Sequence, residues 1–331
     1  MRETEAVKLY NSITNVSEKY IEEAQIRSTN REHKKRTSVW LVRGVAAACF
    51  CLLAAGLSVW RKTAESPLDR IPEITVSENG VVIPPLKVSL SAKTKDAACM
   101  VPFFIYQGRC YVGYETLYNA DVSDGIIGEL LGSATGLIDE WTSKDGYVDF
   151  AGSVKGDFYA VKGFNPEFIL CMKDDSRVLI FTCNNGITVK TGAELYEDRL
   201  HLSGNYTGVR YETRNSWFYS RNELYALNDL NNSVIDNFIT EMNAAEFMPF
   251  DNIPLKDGRT DVYETEIDHL YFLLENGLTV HLRLYEGGYV RFQGLGDVCV
   301  KIPERQFKEI TDLFNNPAAW TPVEEKGDIF S

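Results

Sequence analysis

The sequence predicts an α+β protein, in which one N-terminal transmembrane helix precedes a β-rich extracytoplasmic body with antiparallel hairpins, a meander and two or three helices. Three observations support this fold class. Residues 38–60 are apolar over a length that can cross a bilayer. Residues 278–284 alternate between apolar and polar positions, as half-buried strands do, within a predicted meander over residues 270–293. Helical spacing of apolar residues is confined to short stretches such as 230–242 and 303–314.

Residues 38–60, SVWLVRGVAAACFCLLAAGLSVW, form the predicted transmembrane helix. Trp40 and Trp60 lie near its two ends, where amphipathic aromatic rings prefer the membrane interface. Arg43 is the single charged residue within it, and its long side chain can extend to the lipid headgroups. The alternatives are a cleaved signal peptide and a buried helix of a soluble protein. The region before the apolar core is too long for the first, and its basic flank disfavours the second.

Charged residues on the two sides of this stretch predict its orientation. The basic residues that precede it are Arg27, Arg31, Lys34, Lys35 and Arg36, and those that follow it closely are Arg61, Lys62 and Arg70. Because cytoplasmic flanks carry the excess of Lys and Arg, we expect the N-terminus in the cytoplasm and the body outside the plasma membrane of a bacterium. The lipid bilayer is therefore a predicted partner.

The charge of the chain is distributed unevenly. The formal net charge is -13, yet residues 1–37 carry +2 and residues 61–331 carry -16. An acidic body of this kind disfavours nucleic acid as a ligand. Aromatic residues make up 12% of the chain, which indicates a folded body rather than a solvated stalk.

Changes in composition along the chain predict six segments. They are a cytoplasmic amphipathic helical head (1–37), the transmembrane helix (38–60), a Pro-containing extracytoplasmic tether (61–95), a β-rich subdomain (96–199), an α+β subdomain (200–320) and a loose tail (321–331). The loss of regular structure that leads into this tail is predicted to start after Asn316.

One face of the predicted helical head is apolar and has to be covered by a partner. Leu9, Ile13, Val16 and Tyr20 recur at three- and four-residue steps and share one face of a predicted helix. A segment of about 30 residues has no second layer on which to bury that face. We therefore expect these residues to contact lipid, a second copy of the chain or a cytoplasmic protein.

The sequence NVSEKYIEEA, within residues 8–62, resembles the cytoplasmic start of single-pass, membrane-anchored anti-sigma-factor-like proteins of clostridia-like Gram-positive bacteria. The resemblance implies that residues 1–30 bind a sigma factor or another regulatory protein. It also implies an extracytoplasmic domain without assigned chemistry, and it carries no catalytic residues. The chain departs from the zinc-binding anti-sigma pattern, because His33 has no cysteine near it.

The cysteine pattern predicts free thiols. Cys49 and Cys51 lie in the predicted span, and five others follow it: Cys99, Cys110, Cys171, Cys183 and Cys299. If residues 168–172 and 177–183 pair as a hairpin, Cys171 faces about position 179 and Cys183 about position 167. Their sulfur atoms are then too far apart for a disulfide. We expect buried thiols that fill apolar space, as in a bacterium with little oxidative folding outside the membrane.

Turn sequences divide the body into strands. Hairpins are predicted for 74–76 with 81–83 and for 100–106 with 109–114, and further strands for 158–161, 168–172 and 178–181. Residues 126–131 fit either a strand or one helical turn. A meander is predicted over 270–274, 278–285 and 289–293.

The last third of the chain also contains two predicted helices. The first covers 230–242, with Asn228 and Asp229 as possible caps, and the second starts at Pro303. In the meander, the alternation predicts Leu278, Val280, Leu282 and Leu284 on a core and Thr279, His281 and Arg283 in solvent.

The sequence contains no arrangement of residues that is typical of a catalytic or metal-binding site. His201, His269 and His281 are the histidines of the body, and none is at ligand spacing from another or from a cysteine. Carboxylates that could form an acid pair or a calcium site are Asp139 with Glu140, or Glu264, Glu266 and Asp268. Acidic residues at alternate strand positions are more often a solvated face. We therefore expect no catalytic residues, metal or cofactor.

Aromatic residues are concentrated between positions 206 and 225. They are Tyr206, Tyr211, Trp217, Phe218, Tyr219 and Tyr225. Such a group can line a groove for a sugar or a peptide, although burial in the core is the more frequent use of aromatic side chains.

These observations predict a non-enzymatic membrane protein with an extracytoplasmic sensor or envelope-regulatory domain and an unknown exterior ligand. One alternative is an exterior binding domain for which residues 1–37 are only an anchor. The other is a hydrolase that acts on a cell-envelope polymer through a carboxylate pair.

Overall fold

A computed structural model of the chain describes residues 74–84, 102–118, 125–136, 150, 152–174, 177–183, 185–255 and 258–323. The predicted head and span, with Leu9, Ile13, Val16, Tyr20, Trp40, Arg43 and Trp60, lie outside these ranges. Within the described ranges, no helix has the length and apolar character needed to cross a membrane.

The described body is rich in β-strands. In chain order the strands are β1 (Thr75–Ser77), β2 (Gly80–Ile83), β3 (Phe103–Tyr106), β4 (Arg109–Leu117), β5 (Ile127–Thr135), β6 (Lys155–Val161), β7 (Ile169–Asp174), β8 (Arg177–Cys183), β9 (Ile187–Val189), β10 (Tyr206–Thr213), β11 (Leu224–Leu227), β12 (Phe247–Pro249), β13 (Glu266–Leu274), β14 (Thr279–Tyr285), β15 (Tyr289–Phe292), β16 (Val298–Lys301) and β17 (Trp320–Pro322). All their pairings are antiparallel.

These strands form three sheets. One has three strands in the order β1-β2-β9, and another has six in the order β3-β4-β8-β7-β6-β5. The third has eight, in the order β12-β16-β15-β14-β13-β10-β11-β17. The predicted hairpins β1–β2 and β3–β4 and the predicted meander β13–β14–β15 are confirmed. The ambiguous segment 126–131 belongs mainly to strand β5.

Four α-helices occur in the described part of the chain. They are α1 (Gly192–Tyr196), α2 (Arg214–Phe218), α3 (Ser233–Ala244) and α4 (Glu304–Phe314). The two long helices were predicted, whereas the two helices of five residues were too short to show periodicity. Helix α3 is capped by Asn232, whose side chain accepts a hydrogen bond from Val234 N, rather than by Asn228 or Asp229.

The main hydrophobic core contains residues from all three sheets and from both long helices. Examples are Val81, Ile180, Phe238, Leu282 and Ile310, each at most 1% exposed. The core thus draws on both predicted subdomains.

The predicted solvent face of β14 is buried, which corrects the expectation from its alternating pattern. His281 and Arg283 are only 9% and 6% exposed, and Thr279 is half-buried. The reason is that Trp217 of α2 and Tyr263 both lie over Arg283 on this face. An alternating strand next to a second layer has two buried faces, and the sequence of the strand does not reveal that layer.

The predicted loss of regular structure after Asn316 is wrong for residues 317–322, because β17 pairs with β11 at the edge of the eight-stranded sheet.

Cys110, Cys171, Cys183 and Cys299 are buried free thiols, as predicted. Cys171 faces Ile180, one position from the predicted partner.

Candidate functional site

A buried polar cluster lies on the hairpin that β13 and β14 form. We use this name for Glu266, His269, His281 and Arg283. In the hairpin His269 is opposite Arg283, and Tyr271 is opposite His281. Successive side chains alternate between the two faces of a strand, so both histidines and Arg283 share one face of the sheet. The hairpin therefore brings together two histidines that are twelve residues apart in the chain.

The four side chains form a continuous chain of polar contacts. His269 Nδ1 and His281 Nε2 are 2.7 Å apart. On the other side of the ring, His269 Nε2 is 3.3 Å from Glu266 Oε1. The same carboxylate oxygen accepts a short hydrogen bond from Arg283 Nε. Arg214 Nε lies 3.8 Å from the second oxygen of Glu266, so one carboxylate faces two guanidinium groups and a histidine.

Aromatic rings cover this cluster. The Trp217 ring stacks on His269 with the ring centroids 4.6 Å apart, and the Arg283 guanidinium carbon lies 4.8 Å from the centre of the Trp217 ring. Tyr271 stacks on His281 at 4.4 Å. The apolar surroundings exclude water, and His269 is completely buried. Electrostatic interactions within the cluster are therefore weakly screened.

The position of Trp217 is fixed by hydrogen bonds at α2. Ser216 Oγ donates to Glu212 Oε1 at 2.6 Å and accepts from Glu223 N at 2.9 Å. Glu212 Oε2 also accepts a hydrogen bond from Tyr271 at 2.9 Å. The buried carboxylate of Glu212 thus connects α2 to the strand that carries His269.

The cluster shifts the pKa of its members in a consistent way. Burial raises the pKa of Glu266, but the nearby His269 and Arg283 outweigh burial and hold it well below its usual range. Burial lowers the pKa of His269, and Glu266 only partly offsets this effect. Burial and the neighbouring His269 hold the pKa of His281 well below its usual value. The cluster therefore contains an ionised carboxylate and two neutral imidazoles near pH 7.

Strand β4 completes the surroundings of His281. Residues 279–281 extend beyond the part of β14 that pairs with β15, and β4 supplies other partners. Tyr114 OH donates to Thr279 O at 2.6 Å and accepts from His281 N at 3.0 Å. Glu115 Oε2 accepts from Thr279 N at 3.0 Å. A tyrosine hydroxyl and a carboxylate thus replace a strand partner.

Two carboxyl groups near the cluster are shifted in the opposite direction. Burial raises the pKa of Glu115 to about 7, although the hydrogen bond from Thr279 opposes the shift. Burial also raises the pKa of Asp268 to about 7, and the charge of Glu266 adds to it. Both groups are half-buried, so solvent screening reduces their energetic effect.

The arrangement can respond to protons. When both imidazoles are neutral, one of the two facing nitrogens donates and the other accepts. The first added proton can occupy the outer nitrogen of the donating ring and leave this contact intact. A pair with both rings protonated places two N–H groups against each other, in a cluster that already contains Arg283 and faces Arg214. Protonation of both rings must therefore change the geometry of the cluster or draw Glu266 away from Arg283.

The acidic residues and histidines considered as candidate site residues lie in different environments. Glu266 is buried and not on a solvated face, Asp268 is half-buried, and Glu264 is exposed. His201 lies apart from the cluster, with Nε2 3.1 Å from Gly163 O. Asp139 and Glu140 lie outside the described residues. Within the described ranges, no three His, Cys, Asp or Glu residues are arranged to hold a metal ion.

The aromatic residues between 206 and 225 do not line one groove. Tyr211 stacks on Tyr225 and on Phe314, within the core contact between the sheet and α4. Trp217 covers the buried polar cluster. Phe218 and Tyr219 are the exposed members of the group, at 46% and 61%.

The spacing of His269 and His281 in the sequence does not reveal their contact, because twelve residues is not a metal-ligand spacing. The turn at Glu275-Asn276-Gly277 and the predicted strands on both sides could have indicated the register. Positions equidistant from that turn face each other, so His269 and His281 lie on a diagonal of the hairpin.

Comparisons with protein families, with curated proteins and with solved structures found no match to this chain.

Proposed function

We propose that this chain is a single-pass membrane sensor whose β-rich body responds to acidification on the outer side of the plasma membrane. The observation that carries the proposal is the contact between His269 and His281 in an ionisable cluster beneath Trp217. Histidine is the side chain whose ordinary pKa lies closest to physiological pH. Protonation of both rings would disturb the stacking of Trp217, which is part of a helix at the surface.

The topology of the proposal comes from the sequence. The basic flank before residues 38–60 favours a cytoplasmic head, and the acidic composition of residues 61–331 suits an exterior domain. The resemblance of residues 8–62 to anti-sigma-factor-like proteins supports a regulatory head. Leu9, Ile13, Val16 and Tyr20 would contact a sigma factor or another cytoplasmic protein.

Hydrogen exchange of the full-length chain in detergent micelles tests the sensor. After correction for intrinsic exchange, amides of residues 214–222 should lose protection between about pH 7 and about pH 4.5, because burial lowers the pKa of both histidines below its ordinary value. The variant His281→Gln, which cannot gain this proton, should show a smaller loss, and His201→Gln should behave as wild type. A wild-type segment equally protected at both pH values would contradict the proposal.

Protease accessibility tests the proposed orientation of the chain in the membrane. Protease added to wall-stripped cells should degrade the body and spare an epitope within residues 1–30, because the membrane shields a cytoplasmic head. Protection of the body instead would reverse the orientation and remove the exterior sensor.

The head is tested by Ile13→Asp in the full-length chain. Loss of one apolar contact of about 1.5–3 kcal/mol should weaken partner capture from solubilised membranes about tenfold or more. The body, with its own core, should unfold at the same temperature. Equal recovery of the same proteins, sigma factors included, with both chains would show that the head is only an anchor.

A further inference from the structure

An exposed patch of aromatic and arginine side chains lies on the surface beside the buried polar cluster. We call Arg214, Phe218, Tyr219 and Arg221 the aromatic–arginine patch. The Phe218 and Tyr219 rings meet edge to face with centroids 5.1 Å apart. The Arg214 guanidinium carbon lies 5.9 Å from the centre of the Phe218 ring, and that of Arg221 lies 5.4 Å from the centre of the Tyr219 ring. The patch combines apolar area with positive charge.

The backbone holds this patch in a defined shape. Thr213 caps α2 by accepting a hydrogen bond from Ser216 N, and Arg221 N donates to Ser216 O at 2.9 Å. Ser220 and Asn222 have positive φ angles of 50° and 55°, a conformation that few residues other than glycine adopt. A surface loop with such specific hydrogen bonding is preorganised for a contact.

The charge of the patch is opposite to that of the body. Residues 61–331 carry a net charge of -16, whereas residues 214–222 contain two arginines and no carboxylate. Arg214 faces Glu266. Arg221 is exposed and forms no ion pair with another residue that the structure describes. The partner that suits this patch is therefore acidic and has apolar side chains for Phe218 and Tyr219.

The path of the chain leads a segment of this composition toward the patch. Strand β17 runs antiparallel to β11, with Leu227 opposite Trp320 and Tyr225 opposite Pro322. Val323 N then donates to Leu224 O at 2.9 Å. At Val323, where this part of the described chain ends, the backbone thus runs along β11 in the direction of Arg221. Its next residues are EEKGDIFS, with three carboxylates followed by Ile329 and Phe330.

We propose that residues 324–331 dock on the aromatic–arginine patch. Glu324, Glu325 and Asp328 supply carboxylates for Arg221 and Arg214, and Ile329 and Phe330 cover the exposed rings. The reach is sufficient, because eight extended residues span roughly 26 Å, whereas Leu224 and Tyr219 are at most roughly 18 Å apart along the chain. This segment then competes with any external partner for the patch.

Photocrosslinking of the full-length chain in detergent micelles tests this contact. Benzoylphenylalanine in place of Phe330 should crosslink to the peptide that contains residues 214–222. Arg221→Glu should lower the yield about fivefold or more, because a repulsive contact replaces an attractive one. Arg305→Glu makes the same charge change at an exposed position of α4 and should leave the yield unchanged.

A second variant keeps the test decisive if Arg221→Glu fails to fold. The triple substitution Glu324→Lys, Glu325→Lys and Asp328→Lys should also lower the yield in a chain with the natural patch. Combined with Arg221→Glu, it should restore part of the yield. Crosslinks at other surfaces would overturn the proposal. So would equal yields for Arg221→Glu and Arg305→Glu, or capture of lipid or a second protein by benzoylphenylalanine in place of Tyr219.

Discussion

His269 Nδ1 lies 2.7 Å from His281 Nε2, within a hairpin that buries both rings. One of these nitrogens must donate and the other accept, so the contact accommodates a single hydrogen between them. The two histidines therefore act as one unit when the pH changes. Glu266 and Arg283 on one side and Tyr271 on the other fix the rings in place.

The first prediction concerns the dependence of stability on pH. Burial lowers the pKa of both histidines from the ordinary value of 6.5. The unfolded chain thus binds protons that the folded chain does not as the pH falls below about 6.5, and the free energy of unfolding decreases by up to about 1.4 kcal/mol per pH unit for each histidine. Glu115 and Asp268, each with a pKa raised to about 7, act in the opposite sense: the stability they contribute is present at low pH and lost as the pH rises toward 7.

Substitution of Glu115 and Asp268 separates their contribution to the pH dependence of stability from that of the two histidines. Between about pH 4.5 and about pH 6.5, wild-type stability should fall less on acidification than the histidines alone would cause, because the carboxyl contributions act in the opposite direction. In the double variant Glu115→Gln and Asp268→Asn, the free energy of unfolding should fall steeply as the pH is lowered through that range. Denaturant titrations at several pH values measure this free energy. A flat profile in the double variant would show that the histidines do not govern acid stability.

Removal of one member of the Glu266–Arg283 pair should be costly. Arg283→Met leaves the buried carboxylate without its short hydrogen bond, and a broken buried pair costs about 3–5 kcal/mol. Adding Glu266→Gln removes the stranded charge and should recover part of the loss. Arg305→Ala, which breaks the exposed pair with Glu309, should change the free energy of unfolding by less than about 1 kcal/mol. Similar losses for both arginine variants would refute the importance of burial.

Gly192 is required by a close approach of two backbones. A Cβ atom at this position would lie 1.8 Å from Met242 O of helix α3. Gly192→Ala should therefore destabilise the protein by about 1–3 kcal/mol or more through displacement of α1 from α3. Gly296→Ala is the matched control, since no atom lies within 4 Å of its added Cβ. Thermal unfolding of the full-length variants measures the difference, and equal midpoints would contradict this account.

The cysteines should all be reduced. Burial raises the pKa of Cys110, Cys171 and Cys299 to about 12, so their thiolates are scarce and slow to react in the folded protein. Alkylation of the native chain should leave them unlabelled, whereas denaturation without reductant should expose them, together with Cys99 and Cys183. A mass that shows two intramolecular bridges after denaturation would refute the prediction.

The sequence predicted the elements that local rules control. Hairpin β3–β4 follows from Gln107-Gly108, both of which adopt a positive φ. Helix α4 follows from the spacing of Phe307, Ile310, Leu313 and Phe314, all of which are buried. The unpaired state of Cys171 and Cys183 followed from strand register alone. In each case a turn or a periodicity acts within a few residues.

Tertiary structure decided which polar residues become buried. Alternation along β14 is the same whether its second face meets water or another layer, so it could not show that Trp217 covers Arg283. The contacts of Tyr114 and Glu115 with β14 join residues 164 to 167 positions apart. The pairs between β11 and β17 join residues 93 to 97 positions apart. Local preferences carry no information about such contacts, because they arise only when separate sheets and helices bury their apolar faces against one another.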